Sequence, residues 1–275
     1  MKQSIFVCPE THAALFEHNE NNEHYLSTES NNRYDYVNDI PNLTYPKALK
    51  KDTVQVFEHY DNSAAIYDKF LNQTFKTHNE DEVATRNKFV DKLNIKSDSK
   101  VLEIACATGR DSEQIIKRLG KDGQLVMVDI SPNMLTKCRE KLAGVDVDKA
   151  FCIANASYLP FPDQYFDAVY SFAALGYFPD IKRSLAEMVR VTKPGGKIVV
   201  GDESMPLWLR DTYFSKVLAN TNPRILSDVP LKDIPVEARN VTVQWVVGGV
   251  FYLIDFEVGV GEPQGNFDYE VAGVR

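Results

Sequence analysis

The chain has no run approaching the roughly 20 apolar residues that a membrane-spanning helix needs. Its first stretch, MKQSIFVCPETH, is too briefly apolar for a signal peptide. The expectation is a soluble, cytoplasmic protein with no membrane partner. Cysteine is scarce: Cys8, Cys106, Cys138 and Cys152 are the four in 275 residues. No two of them form a CxxC pair, which excludes the common dithiol and zinc motifs and leaves reduced thiols as the plain reading. Positive charge is also in deficit, with 31 Lys and Arg against 39 Asp and Glu and a formal net charge of −8. No general attraction therefore draws the chain to a phosphate backbone, and nucleic acid is a disfavoured partner. Histidine is absent after residue 78: His12, His18, His24, His59 and His78 are all there are.

What is present suffices for one substantial α/β domain plus a smaller unit, with 44% hydrophobic residues. Residues 1–48 hold short β-like runs at 5–8, 25–28 and 34–37 between stretches rich in Asn and Glu, and read as a small β-rich unit. Residues 49–275 read as the main domain. Within 49–98 the spacing turns helical, with Ile66, Phe70 and Leu71 and then Phe89, Val90 and Leu93 on repeating faces, predicting two or so connecting helices. Across 99–204 short apolar runs at 101–105, 125–128, 151–154, 168–172 and 197–200 alternate with amphipathic segments at 112–119, 134–142 and 181–191. Such alternation predicts a parallel sheet with right-handed crossovers. Within 205–275, runs at 241–247 and 250–258 flank Gly248-Gly249, a hairpin signal. The fold class expected is α/β, a doubly wound and mostly parallel sheet closed by a C-terminal antiparallel hairpin.

The first strand and its turn read VLEIACATGRDS. A dinucleotide fingerprint, GxGxxG, would place glycines at 105, 107 and 110, where the chain has Ala105, Ala107 and Arg110. An alternative pattern asks for an acidic residue followed by small residues at alternate positions, and Glu103, Ala105, Ala107 and Gly109 supply it. Asp129 ends the next strand in VMVDISPNML, 20 residues after Gly109, placed to accept hydrogen bonds from two ribose hydroxyls. The third segment, IANASYLPFPDQYFDAVYS, places Asn155 and Ala156 before Leu159-Pro160-Phe161, and a Lys193-Pro194-Gly195-Gly196 turn precedes the fifth strand.

These segments, over about residues 60–203, resemble the class I methyltransferases that use S-adenosylmethionine. The resemblance implies a seven-stranded sheet of that type. It also implies a cofactor site drawn from Glu103, Ala105, Cys106, Ala107, Gly109, Asp129, Ile130, Met134, Asn155, Ala156 and Ser171, with Ile130 and Met134 packing on the adenine unless they simply belong to a helix-covered core. Asn155 stands where an Asp is common, and its side-chain carbonyl can still accept from the adenine amino group. Tyr67 matches a helix position where many relatives place a tyrosine over the cofactor; a core aromatic is the equal alternative.

Methyl transfer from a sulfonium is a direct displacement, accelerated largely by positioning, so the motif implies no obligatory catalytic residue. If the acceptor must lose a proton, a histidine base has to come from before residue 80, and otherwise Asp202, Glu203 or Tyr177 at strand ends are the candidates. After the fourth strand stands Ser171-Phe172-Ala173-Ala174, not the proline-containing motif of enzymes that methylate exocyclic amines of adenine, and no Pro-Cys pair exists for pyrimidine C5 methylation. Residues 1–48 resemble a small zinc ribbon that has lost ligands: Cys8-Pro9 and His12 remain, the second pair is missing, and a structural zinc needs four ligands. No metal is expected, and the unit is read as a cover over the substrate entrance. The acceptor expected is a small apolar or aromatic molecule, with aromatic residues such as Trp208, Tyr213, Trp245 and Tyr252 gathered outside the cofactor half. An RNA-modifying methyltransferase and a non-catalytic cofactor-binding or scaffold protein are the alternatives.

Overall fold

A computed structural model of the chain describes residues 2–20, 23–49 and 51–264. Five short strands open it, β1 (Lys2–Val7), β2 (Ala14–Glu20), β3 (Glu23–Ser27), β4 (Arg33–Val37) and β5 (Ile40–Pro41), followed by helices α1 (Lys51–Ser63), α2 (Tyr67–Thr77) and α3 (Glu82–Asp91). Alternation then begins: β6 (Lys100–Ile104), α4 (Ser112–Ile116), β7 (Gln124–Asp129), α5 (Pro132–Lys141), β8 (Asp148–Ile153), β9 (Phe166–Phe172), α6 (Ile181–Val191) and β10 (Thr192–Glu203). The remainder is α7 (Tyr213–Thr221), β11 (Ala238–Val246) and β12 (Phe251–Val258).

The main sheet has seven strands in the order β11-β12-β10-β9-β6-β7-β8. β8, β7, β6, β9 and β10 run parallel, and β12 lies antiparallel to both β10 and β11. This is a doubly wound α/β sheet, closed by a C-terminal antiparallel hairpin as the sequence order predicts. Every residue of β7 is buried, because a parallel strand covered on both faces needs an unbroken apolar run and not alternation. Helix starts are fixed locally. Ser131 accepts the Met134 N–H with Pro132 in the first turn of α5, and Asp180 accepts the Arg183 N–H at the head of α6, each cap worth about 1 kcal/mol.

The details depart from expectation in several places. The two or so helices expected across 49–98 are three, α1 to α3. α4 ends at Ile116, short of 119, where the Gly120 N–H donates to the Ser97 carbonyl at 2.7 Å and draws the chain back toward the sheet. The Lys193-Pro194-Gly195-Gly196 segment is the bulged start of β10 and not a turn before it: pairing with β9 shifts register between Thr192 and Lys197, and Gly195 has φ +79°. β2 carries the polar sequence ALFEHNE and gives no apolar alternation to read, while its Leu15 is buried.

The N-terminal strands form one antiparallel sheet in the order β1 to β5, which docks on the edge strand β8. Asn42 bridges Ile153 in parallel register, the Leu43 N–H donates to the Ile153 carbonyl at 2.8 Å, and the Val7 N–H donates to the Pro160 carbonyl at 2.9 Å. An open strand edge is thereby covered. The two sheets share one apolar cluster in which Phe6, Leu15, Leu26 and Leu43 pack with Cys152, Ala154 and Phe161. Cys8 is fully buried, with its Sγ 3.1 Å from the Tyr34 hydroxyl, whereas His12 is exposed. No helix among the described residues is long and apolar enough to cross a membrane.

Candidate active site

A cavity of about 770 Å³, including its open mouth, lies over the carboxyl ends of β6, β7, β8 and β9, beneath α1 and α2. That is where ligands sit in open parallel sheets. Its near wall is Ala105, Ala107, Asp129, Ile130, Met134, Asn155 and Ala156; its far wall is Thr53, Val56, Tyr60, Tyr67, Phe172, Ala174, Tyr177 and Phe178.

The turn after β6 is made from residues in unusual backbone states. Ala105 has φ +56°, Ala107 φ +47° and Gly109 φ +83°. A left-handed alanine costs roughly 1–2 kcal/mol, and two of them within three residues hold the backbone tightly curled with only methyl groups facing the space above. At Gly109 no alanine is possible without movement, since a Cβ there would lie 2.6 Å from Cys138 Sγ.

Asp129 stabilises the curl. Its Oδ2 accepts the Ala107 N–H and its Oδ1 the Ser131 N–H, both at 2.9 Å. Burial pushes the carboxyl up to about 6, opposed by the backbone N–H groups of Ser131, Ala107 and Ile130. With these three N–H groups satisfied, the carboxylate still has acceptor capacity left for a ligand hydroxyl.

Asn155 is likewise committed to the protein. Its Oδ1 accepts the Ser157 N–H at 3.0 Å and its Nδ2 donates to the Tyr45 carbonyl at 3.0 Å. An aspartate would set a carboxylate against that carbonyl, so asparagine at 155 suits the docked N-terminal unit.

Two carboxylates fasten the helices that roof the cavity. Asp61, near the end of α1, accepts from the Ser131 hydroxyl at 2.6 Å and the Asn133 N–H at 3.0 Å, beside the turn after β7. Asp68, at the start of α2, accepts from the Thr108 hydroxyl at 2.5 Å and from Lys141 Nζ at 3.0 Å, and its backbone carbonyl accepts from Arg110 Nη2 at 2.9 Å. Burial alone would raise the Asp68 carboxyl, but the Thr108 and Lys141 hydrogen bonds and the nearby cations hold it below the usual range. The segment between these anchors carries Tyr67 over the cavity, where burial pushes its phenol up to about 12.

Of the residues singled out from sequence, Tyr67, Ala105, Ala107, Asp129, Ile130, Met134, Asn155 and Ala156 line this one cavity. Glu103, Cys106, Gly109 and Ser171 do not line it. Glu103 is buried below the turn, where it accepts a short hydrogen bond from the Ser112 hydroxyl; burial first, then the neighbouring Asp111 charge, drives its carboxyl well above the ordinary range. Among the strand-end base candidates, Tyr177 lines the cavity whereas Asp202 and Glu203 do not, and no histidine is among the lining residues. Asp202 accepts the Gly176 N–H at 2.5 Å and Glu203 accepts from Asn222 Nδ2 at 2.7 Å. None of the described residues of the N-terminal sheet lines the cavity; the sheet docks beside it, on the β8 edge, through the Asn42–Ile153 bridge. Sequence reading missed Thr53, Val56 and Tyr60 of α1, whose helical spacing gave no hint of which face meets the sheet.

The residues present fit the expected cofactor: a curled turn with only methyl groups facing the cavity, a buried carboxylate at the end of the second strand, and apolar Ile130 and Met134 beside it. Residues 101–196 match the family model described as a methyltransferase domain. The ubiquinone/menaquinone biosynthesis C-methyltransferase UbiE of Cupriavidus metallidurans is 35% identical over 142 residues, covering 50% of this chain and 58% of that protein. The chain thus spans little more than half the length of that relative. Among solved structures, a chain of the complex between the Haloferax volcanii Trm112 methyltransferase activator and a candidate methyltransferase matches with a TM-score of 0.56 at 15% identity, covering 76% of this chain and 100% of that one. Phosphoethanolamine N-methyltransferase 2 of Haemonchus contortus, in complex with phosphomonomethylethanolamine and S-adenosylhomocysteine, matches at 0.55 and 14% identity, covering 82% of this chain and 62% of that one. At such identities these structures speak for the fold, which is that of the class I methyltransferases. The matched methyltransferase domain, which contains the cofactor turn, Asp129 and Asn155, agrees with S-adenosylmethionine as the cofactor.

Proposed function

We propose that this chain transfers the methyl group of S-adenosylmethionine to a small apolar aromatic acceptor of the quinone type. The observation that carries the reading is one continuous cavity whose near wall holds the small-residue turn and Asp129 and whose far wall is aromatic and without a charged side chain among its described lining residues. The UbiE relative, named for quinone biosynthesis, supports the acceptor class. When bound, the cofactor supplies an electrophilic methyl carbon on a sulfonium. Asp129 would accept from the ribose hydroxyls, Ala105 and Ala107 would let the backbone approach, Asn155, Ile130 and Met134 would flank the adenine, and Tyr67 would close over the site. Glu103, Cys106, Gly109 and Ser171 would support the turn and the cavity floor from below.

In this reading residues 1–48 are a ribbon-like unit without its metal and residues 49–275 the methyltransferase domain of a cytoplasmic enzyme. Burial of Cys8 against Tyr34 supports the first part. The test is incubation with methyl-labelled S-adenosylmethionine and separate apolar, aqueous and RNA fractions of a cell extract. Label is expected in an apolar aromatic product. Label in RNA, or cofactor binding with no labelled product in any fraction, would overturn the proposal in favour of an RNA-modifying enzyme or a non-catalytic binding protein.

A further inference from the structure

The far wall carries two phenols that the cofactor fit does not use. Tyr60 of α1 and Tyr177, in the loop after β9, meet edge to face with ring centres 5.7 Å apart, and both line the cavity. Burial drives the Tyr60 phenol far above its ordinary value, so it stays a neutral hydroxyl, able to donate and accept but not to act as a base. Behind the Tyr177 ring lies the Arg224 guanidinium, 3.7 Å from the ring centre. Arg224 is only loosely paired with Asp202, at 3.4 Å, and its Nε is buried without a partner. Asp202 in turn accepts the Gly176 N–H, tying the loop that carries Tyr177 to the end of β10.

The chemistry of this wall selects among acceptors. An anionic headgroup would find no cation among the described residues of the far wall, since Arg224 lies behind the Tyr177 ring. A neutral ring hydroxyl, by contrast, can both donate to one phenol and accept from the other. We propose that Tyr60 and Tyr177 bind a ring hydroxyl of the acceptor, which is therefore a phenol or hydroquinone. Arg224 is a positioning residue that holds the Tyr177 ring. The inference rests on the methyltransferase reading of the cavity.

Calorimetry tests it with S-adenosylhomocysteine at saturation and two probes, 1-naphthol and naphthalene. The protein should prefer 1-naphthol by about fivefold to tenfold, the value of one or two hydrogen bonds. Tyr60→Phe and Tyr177→Phe should each cut that preference to within about twofold while S-adenosylhomocysteine binds as before. Arg224→Met should weaken the preference and Arg224→Lys restore part of it. A preference equal for all variants, or no preference in the unaltered protein, would overturn the proposal. If S-adenosylhomocysteine itself fails to bind, the methyltransferase reading falls, and the naphthol preference measured on cofactor-free protein still decides the role of the tyrosine pair.

Discussion

At the end of the cavity proposed to take the cofactor, the groups come from three successive strand ends, β6, β7 and β8, and are held mostly by bonds within or next to the same turns. Asp129 accepts from Ala107 and Ser131, and Asn155 from Ser157. At the end proposed to take the acceptor they come from α1, from the loop after β9 and, behind it, from Arg224 beyond α7, elements more than 160 residues apart in the chain. One end is a set of local motifs and the other an assembly of distant pieces. A fixed cofactor demands a fixed local geometry, whereas the acceptor wall is free to be built from whatever elements reach over the sheet.

The largest effect that would break this contrast concerns Asp129. Asp129→Ala should weaken S-adenosylhomocysteine binding by about 1.5–3 kcal/mol, the cost of losing hydrogen bonds to a charged acceptor, while the chain still folds. Calorimetry and circular dichroism together check it, and unaltered affinity would remove Asp129 from the cofactor end.

Next comes the opposite wall. Ala174→Leu should crowd the acceptor end and cost acceptor binding about 1–3 kcal/mol, with cofactor affinity within about twofold of the original. A matching loss of cofactor affinity would show that the two ends are not separable.

A smaller and reversible effect follows from the position of Asp129. Because ligand hydroxyls need its acceptor oxygens, cofactor affinity should fall as pH drops through about 6, by up to about tenfold per unit. Stability of the cofactor-free protein should move the other way. The fold raises this carboxyl above its unfolded value, so the protonated form is favoured, and the contribution fades as pH rises through about 6. Asp129→Asn should flatten both profiles, which titration calorimetry and thermal melts can follow across pH 5 to 7.5.

The smallest effect is at the turn. Ala107→Gly relieves about 1 kcal/mol of left-handed strain and adds about as much chain entropy to the unfolded state. Its melting temperature should therefore shift by only a few degrees, with cofactor binding retained. Ala107→Val should destabilise clearly, because a β-branched residue tolerates positive φ poorly.

The same contrast governs what could be read in advance. VLEIACATGRDS, VMVDISPNML and the LPF segment specified the sheet, its switch point and most of the near wall by themselves, because strand periodicity, small residues at a turn and an acidic strand end act over a few residues. The hairpin at Gly248-Gly249 was legible for the same reason. Nothing in the chain order revealed that Asn155 holds the Tyr45 carbonyl, that the N-terminal sheet docks on β8, or that Asp61 and Asp68 fasten the roof. Those pairings join residues 40 to 111 positions apart, and helical spacing at 49–98 could not say which face of α1 would bring Tyr60 against Tyr177. Local patterns determined the strands, the turn and the carboxylate at its edge. Long-range packing, which depends on how whole elements bury their apolar faces against one another, decided which phenols meet across the cavity.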